Sequence, residues 1–286
     1  MISAVIVTYG KRSHILDAVI LRLQKYPADI LSKIIVVNND SDMDVKHYER
    51  KGIDVVNVLT NIGSAGGYKI GLQKAYHSDC EFVWLLDDDN LPDEGVLNKL
   101  LSYYESFSVK GFKNFCLSCE RGRPLYSSLK SYIGNINFPF IRTKKVIAET
   151  VDDKVFSVPV SPFGGMFFHK SLLDLIGYPN DDYFVYCDDT EFSYRITKSG
   201  GSIFLIQDCK INDIDTTNDS ALRQYYSLRN LTHFKKTLTK SKFAFLIGNL
   251  FMRLYFRGNK ILKQAVIDGY KGRLGKSNQF KQLELK

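Results

Sequence analysis

The sequence predicts an α/β fold: a mostly parallel central sheet flanked by helices, followed by a C-terminal helical extension. Three observations predict it. Apolar, β-branched runs alternate with stretches of helical period along the first two hundred residues or so. The runs are apolar nearly throughout, as in strands buried on both faces. After Asp219 the strand signal stops and helical spacing continues to near residue 270.

The elements follow in order. Residues 2–8 form a first buried strand ending at Thr8, Tyr9 and Gly10. Residues 13–25 place Ile15, Leu16, Val19, Ile20 and Leu23 on one helical face, with Ser13 as N-cap and Pro27 as the stop. Residues 33–40 are a second strand ending in Asn38, Asn39 and Asp40, and residues 53–59 a third. Residues 61–67 are a Gly-rich loop leading into a helix that reaches His77. Residues 81–86 are a fourth strand, halted by Asp87-Asp88-Asp89, and a helix is expected from Pro92, where the missing N–H costs little. Between 112 and 160 the pattern loosens. Residues 161–165 lead into a short strand at 166–169, and Ser171 is placed to cap the next helix. The apolar stretch 183–187 ends at Asp188-Asp189, which open a helix to Lys198, closed by Gly200-Gly201; residues 203–206 are one more strand.

In such sheets ligands sit beyond the carboxyl ends of the strands. Thr8, residues 38–40, residues 61–67 and residues 87–89 all fall at those ends, so they are expected to converge on one crevice.

Length and composition set the class. The chain has 286 residues, 44% hydrophobic and 24% charged, ordinary for a globular protein with a full core. The five cysteines, an odd number at scattered spacing, argue against a disulfide framework and for a reducing, cytoplasmic setting. Cys116 and Cys119 form a lone C-x-x-C without the second pair that zinc wants. No run approaches the roughly 18 apolar residues of a membrane span, and the N-terminus lacks a signal peptide's basic start. Residues 235–286 hold 13 Lys and Arg against 2 Asp and Glu, a local charge of +11; with a total of +8, residues 1–234 carry −3. A basic extension of this kind meets anionic lipid, nucleic acid or an acidic partner. Within it, residues 243–256 are strongly apolar and flanked by Lys240, Lys242, Arg253 and Arg257. That pattern suits a helix lying at a membrane interface, and equally one packing on the domain or on a second copy.

Several segments can carry chemistry. Three carboxylates at a buried strand's end repel one another unless a cation compensates, and hard divalent ions take carboxylate oxygens. In an extended segment Asp87 and Asp89 point the same way; a solvated turn is the plainer reading. The loop 61–67 allows close approach to a phosphate at a helix start, or only a tight turn; it matches neither common phosphate-loop pattern. Asp188, Asp189 and Glu191 at a helix start suit the helix dipole, or supply a general base to an attacking hydroxyl. Tyr225, Tyr226, Arg229 and Asn230 share helix faces, for packing or for a diphosphate or acceptor contact.

Taken in order, residues 5–9, 35–41, 61–67, 84–89, 163–166, 188–192 and 225–230 resemble the inverting, GT-A-fold glycosyltransferases of family two, in their rhamnosyl- and galactofuranosyltransferase branch. The resemblance implies a catalytic domain over residues 1–217, with a donor half to about 110 and an acceptor half beyond, and a basic helical region over 218–286. It implies that Thr8, Tyr9, Asn38 and Asp40 line the nucleoside pocket, that Asn61, Gly63, Gly66 and Trp84 lie along the donor, and that Asp88 sits near the donor sugar. Asp87 and Asp89 would hold Mn2+ or Mg2+ and the diphosphate. Gly164, Gly165, Tyr226 and Arg229 would shape the acceptor side. Asp189 would be the catalytic base, Asp188 would position the acceptor, and Glu191 would support both. The family's metal-binding histidine has no counterpart here; Asp213 falls nearest its place and is expected as an oxygen ligand. The implied partners are a nucleotide sugar, with UDP-galactofuranose favoured over dTDP-rhamnose, a surface-polysaccharide or lipid-linked glycan, and, through residues 235–286, the inner face of a membrane.

Two other classes compete. A sugar-phosphate nucleotidyltransferase would want a glycine-rich basic loop after the first strand; Lys11 and Arg12 are there without the glycines. A nucleic-acid-binding module would interleave aromatic and basic residues, whereas the aromatic residues of the extension sit in apolar runs.

Overall fold

A computed structural model describes residues 1–10, 12–39, 46–50, 53–121, 149–215, 220–239 and 241–278. Asp40 and Lys240 fall outside them. The strands are β1 (Ile2–Thr8), β2 (Leu31–Asn38), β3 (Asp54–Asn57), β4 (Phe82–Asp87), β5 (Asn90–Pro92), β6 (Phe115–Glu120), β7 (Glu149–Asp152), β8 (Val155–Ser157), β9 (Met166–His169) and β10 (Ser202–Asp213). The helices are α1 (Ser13–Leu23), α2 (Lys46–Arg50), α3 (Gly63–Tyr76), α4 (Val96–Val109), α5 (Leu172–Ile176), α6 (Asp188–Lys198), α7 (Ala221–Leu238), α8 (Lys242–Tyr255) and α9 (Lys260–Lys271).

The main sheet runs β3-β2-β1-β4-β9-β6-β10-β8-β7. Its first four strands are parallel, as the apolar runs predict. Beyond them the sheet is mixed: β9 lies antiparallel between β4 and β6, and β8 antiparallel beside β10. Successive side chains of β1 feed two cores. Ile2, Ala4 and Ile6 pack with Leu16, Val19, Ile20 and Leu23 of α1 and with Leu97 and Leu100 of α4. Val5 packs on the other face with Tyr68 and Leu72 of α3 and with Phe192 and Ile196 of α6. Each of the larger apolar side chains contributes about 1.5–3 kcal/mol when fully buried, so both faces of β1 fix its register.

Three local expectations are corrected. Pro92 closes the three-residue β5, and the helix begins later, at Val96, after Gly95 turns the chain at φ +74. β10 does not stop at Ile206 but continues to Asp213, where it pairs antiparallel with β5. That extension brings Asp213 beside the segment that follows β4. The helical region after residue 219 is broken into three helices, whose first N–H groups are met by the side chains of Ser220, Ser241 and Asn259.

Candidate active site

The carboxyl ends of β1 and β4, the start of α3 and the start of α6 open into one cavity of about 1300 Å3. Thr8, Tyr9, Asn61, Gly63, Asp87, Asp88, Asp89, Asp188, Asp189, Asp213 and Tyr226 line it, as the sequence led us to expect. The acidic triplet and the later aspartate pair therefore share one space, although about a hundred residues separate them.

The triplet is arranged by the strand's end. β4 stops at Asp87 and the chain turns, so Asp88 joins Asp89 instead of pointing to the opposite face as an extended segment requires. The Tyr68 hydroxyl lies 2.8 Å from Asp87 Oδ1. Thr8 Oγ1 donates to Asp88 Oδ2 at 2.7 Å. Arg12 reaches Asp88 at 3.1 Å, Asp89 at 2.9 Å and Asp215 at 3.2 Å. Burial drives the Asp88 carboxyl up to about 7 even with Arg12 beside it, and raises Asp89 as well, with Asp87 adding to that rise. Burial opposes the Arg12 charge, but Asp88, Asp89 and Asp215 outweigh it and hold the guanidinium more basic than usual.

A second guanidinium, Arg121, contacts Asp213 Oδ1 at 2.5 Å and Asp87 Oδ2 at 3.4 Å. Asn90 donates to Asp213 Oδ1 and to Asp89 Oδ1. Asp213, expected as a third metal ligand, is thus committed to Arg121 and Asn90. Among the described residues no group of three or more His, Cys, Asp or Glu side chains surrounds a point that could hold a metal. The donor chemistry nevertheless fits a hard divalent ion. Asp87 keeps 37% of its side chain exposed toward the cavity. Seven lining aspartates (87, 88, 89, 188, 189, 213 and 215) face three lining arginines (12, 121 and 223). An anionic ligand entering that excess of carboxylate needs a cation with it.

The pair at the start of α6 is held from both sides. Ser64 Oγ, on the first turn of α3, donates to Asp188 Oδ2 at 2.5 Å. Asp189, which lines the cavity, has its Oδ1 accepting from the Thr190 N–H at 2.6 Å and from Thr190 Oγ1 at 3.2 Å. Burial raises both carboxyls above the ordinary range, Asp188 further than Asp189 because its neighbour's charge adds to the burial. Asp189 also feels Asp87, which raises it, and Arg121, which lowers it.

Just before this pair the backbone is contorted. Phe184, Tyr186 and Cys187 all have φ between +63 and +64, and none is glycine. Such residues cost about 1–3 kcal/mol each and persist only where neighbours over-determine them. Asn230 of α7 does so: its amide nitrogen lies 2.8 Å from the carbonyls of Tyr183, Val185 and Tyr186. Arg229 donates to the carbonyls of Tyr183 and Gly275 and lies over the rings of Tyr225 and Tyr226. On the other side the Ala65 N–H donates to the Phe184 carbonyl, and a Cβ at Gly63 (φ +76) would stand 1.9 Å from that carbonyl oxygen.

Several expected residues lie elsewhere. Arg229 is 1% exposed, clamps this turn and is not among the residues lining the cavity. Glu191 does not line the cavity; it pairs with Arg195 one helical turn on. Trp84 is fully buried in the core, edge-on to Tyr26, because β4 turns it to the α1 face. Asn38 donates to Asn57 on β3, and its neighbour Asn39 lines the cavity instead, donating to the Gly63 carbonyl. Gly66 packs on Ile62, while Gly67 and Gly71 let α3 approach Val7 and Val5. Gly165 (φ +96) lies against Cys119. Gly164 sits behind the triplet, where a Cβ would stand 2.0 Å from Asn90 Oδ1 and 2.8 Å from Asp87 Oδ2. Cys116 and Cys119 are buried in β6, where burial raises both thiols, so they make no reactive pair. Tyr68, Arg121 and Asp215 had no motif to mark them in the sequence, and Ser64 lay within the loop 61–67 without a role of its own.

Comparison with known proteins agrees with this arrangement. Residues 3–174 match the model described as "Glycosyl transferase family 2". The galactofuranosyltransferase GlfT1 of Mycolicibacterium smegmatis is 26% identical over 207 residues, 70% of this chain and 66% of that protein, just under two thirds of its length. The dTDP-rhamnosyl transferase RfbF of Shigella flexneri is 24% identical, covering 96% of this chain and 97% of its own. The crystal structure of GalNAc-T7 with UDP, GalNAc and Mn2+ superimposes with a TM-score of 0.63 at 12% identity, covering 94% of this chain and 54% of that one, a likeness of fold.

Proposed function

The chain belongs to glycosyl transferase family 2, with a GT-A fold, and from that premise we propose that it moves a hexosyl group from a nucleoside-diphosphate sugar to a hydroxyl of a surface-polysaccharide or lipid-linked glycan, with inversion. UDP-galactofuranose is the favoured donor, supported by the likeness to the galactofuranosyltransferase GlfT1. dTDP-rhamnose is the second candidate, supported by the RfbF match along nearly the whole chain.

One observation carries the reading: the carboxylates suited to a cation and the carboxylate suited to a base face one cavity. Asp87 and Asp89 would hold Mn2+ or Mg2+, which supplies charge neutralisation to the leaving diphosphate. Thr8 and Arg12 orient Asp88 beside the donor sugar. Tyr9, Asn39, Asn61 and Gly63 line the donor side, and Tyr226 the acceptor side. Asp189 Oδ2 takes the acceptor hydroxyl's proton as that oxygen bonds to the anomeric carbon and the bond from that carbon to the phosphate oxygen breaks. With Oδ1 occupied by Thr190, the second oxygen has a fixed direction. A single displacement inverts the anomeric centre.

Incubation with UDP-galactofuranose or dTDP-rhamnose, with and without Mn2+, tests the proposal. It should release the matching nucleoside diphosphate in the presence of the metal and bind the donor more weakly without it. Release of pyrophosphate from a nucleotide and a sugar phosphate would replace it with nucleotidyl transfer.

A further inference from the structure

We propose that α8 is a docking face for an anionic lipid surface, on which it lies flat. The helix buries Phe245, Gly248 and Asn249 toward the rest of the molecule. Its other side carries Phe243, Leu246, Ile247, Leu250, Phe251 and Leu254, spaced three and four apart and exposed at 73, 37, 52, 48, 46 and 68%. Large apolar side chains left in water on one continuous stripe mark an interaction surface.

The charge around the stripe selects the occupant. Lys242 precedes it, and the exposed Arg257 and Lys260 follow it. Between Ser220 and Ile267 the sequence has no acidic residue. Asp268, the next one, is buried and bonded to Tyr225 and Gln264. A second copy pairing through this face would bring two uncompensated basic surfaces together, whereas an anionic bilayer is complementary to both the stripe and its ends. Fourteen residues make a helix of roughly 21 Å, and no helix among the described residues is long and apolar enough to cross a membrane. The contact therefore lies along the interface. α8 packs on α9 and α9 on α7, whose first turn supplies Leu222 and Arg223 to the cavity. The same face would thus hold the cavity in a fixed relation to a lipid-linked acceptor; that clause rests on the proposed transfer activity, the lipid contact does not.

Co-sedimentation of the full chain with phosphatidylcholine vesicles, with and without phosphatidylglycerol, tests this. The protein should pellet with the phosphatidylglycerol vesicles and not with phosphatidylcholine alone. Ile247→Asp with Leu250→Asp, both at exposed positions, and separately Arg257→Glu with Lys260→Glu, should each lower vesicle affinity about tenfold or more while melting temperature and donor hydrolysis stay unchanged. Vesicle binding that survives both pairs overturns the proposal, as does a wild-type chain that never pellets. So does light scattering that finds a dimer which Ile247→Asp with Leu250→Asp converts to monomer. Because donor hydrolysis is measured on soluble substrate, loss of hydrolysis and loss of vesicle binding report separately on the two proposals.

Discussion

At the scale of single residues, the site is built from carboxylates whose charge is managed in three different ways. Asp88 and Asp89 share Arg12, Asp213 is met by Arg121, and Asp188 and Asp189 are left to burial, Ser64 and Thr190. The last arrangement sets the chemistry expected of Asp189. Replacing it with Asn keeps the Thr190 contact and removes the proton acceptor, so kcat should fall about a hundred- to ten-thousandfold while the Kd for UDP, measured by calorimetry, stays unchanged. Full turnover by that variant would remove Asp189 as the base. The sign of the pH dependence follows from burial. A carboxyl raised above its ordinary value is protonated, and useless as a base, up to a higher pH. The acid limb of the wild-type rate profile should therefore lie above about 4, the range of a free aspartate, with rate lost as pH falls through it.

At the scale of elements, two contacts decide whether the carboxylates stay where they are. The loop before β9 passes so close to β4 that only glycine fits at 164. Gly164→Ala should displace Asn90 and Asp87 together, at a cost of about 1–3 kcal/mol, and weaken metal-dependent donor binding in a titration with Mn2+. The second contact is the clamp of α7 on the turn 183–187. Asn230→Ala removes the amide that ties the Tyr183, Val185 and Tyr186 carbonyls together, a loss of about 1–3 kcal/mol under a turn that already carries three left-handed residues, with Arg229 still meeting Tyr183. Its melting temperature should fall by several degrees. Below that temperature kcat should drop, because the turn leads directly into Asp188 and Asp189. The pair Tyr225-Tyr226 with Arg229-Asn230 was visible in the sequence as a helix motif. Its task was not, since nothing in the sequence says that residues 183–187 adopt left-handed backbone.

At the scale of the whole molecule, the helical extension is fastened to the site. Arg229 reaches the Gly275 carbonyl, Tyr225 bonds Asp268, and Ala265 packs with Phe184, Tyr225 and Tyr226. Ending the chain after Thr239 should therefore lower thermal stability and activity together; an unchanged melting curve would mark the extension as a separable unit. Much of the architecture was legible in advance. The apolar runs of β1, β2 and β4 and their polar ends at Thr8, Asn38 and Asp87 pointed to the parallel half and the crevice. The mixed half was harder, because β9 is a four-residue run whose direction depends on its neighbours β4 and β6. Arg121 carried no motif, and Arg12 was noticed only for the glycines missing around it. The contact of Gly63 and Ala65 with the Phe184 carbonyl bears on redesign. The glycine-rich turn at residues 61–65 and the contorted turn at residues 183–187 are cast against each other with no slack. A segment grafted from a relative to change sugar preference would fit here only if its counterpart from the same relative were grafted with it.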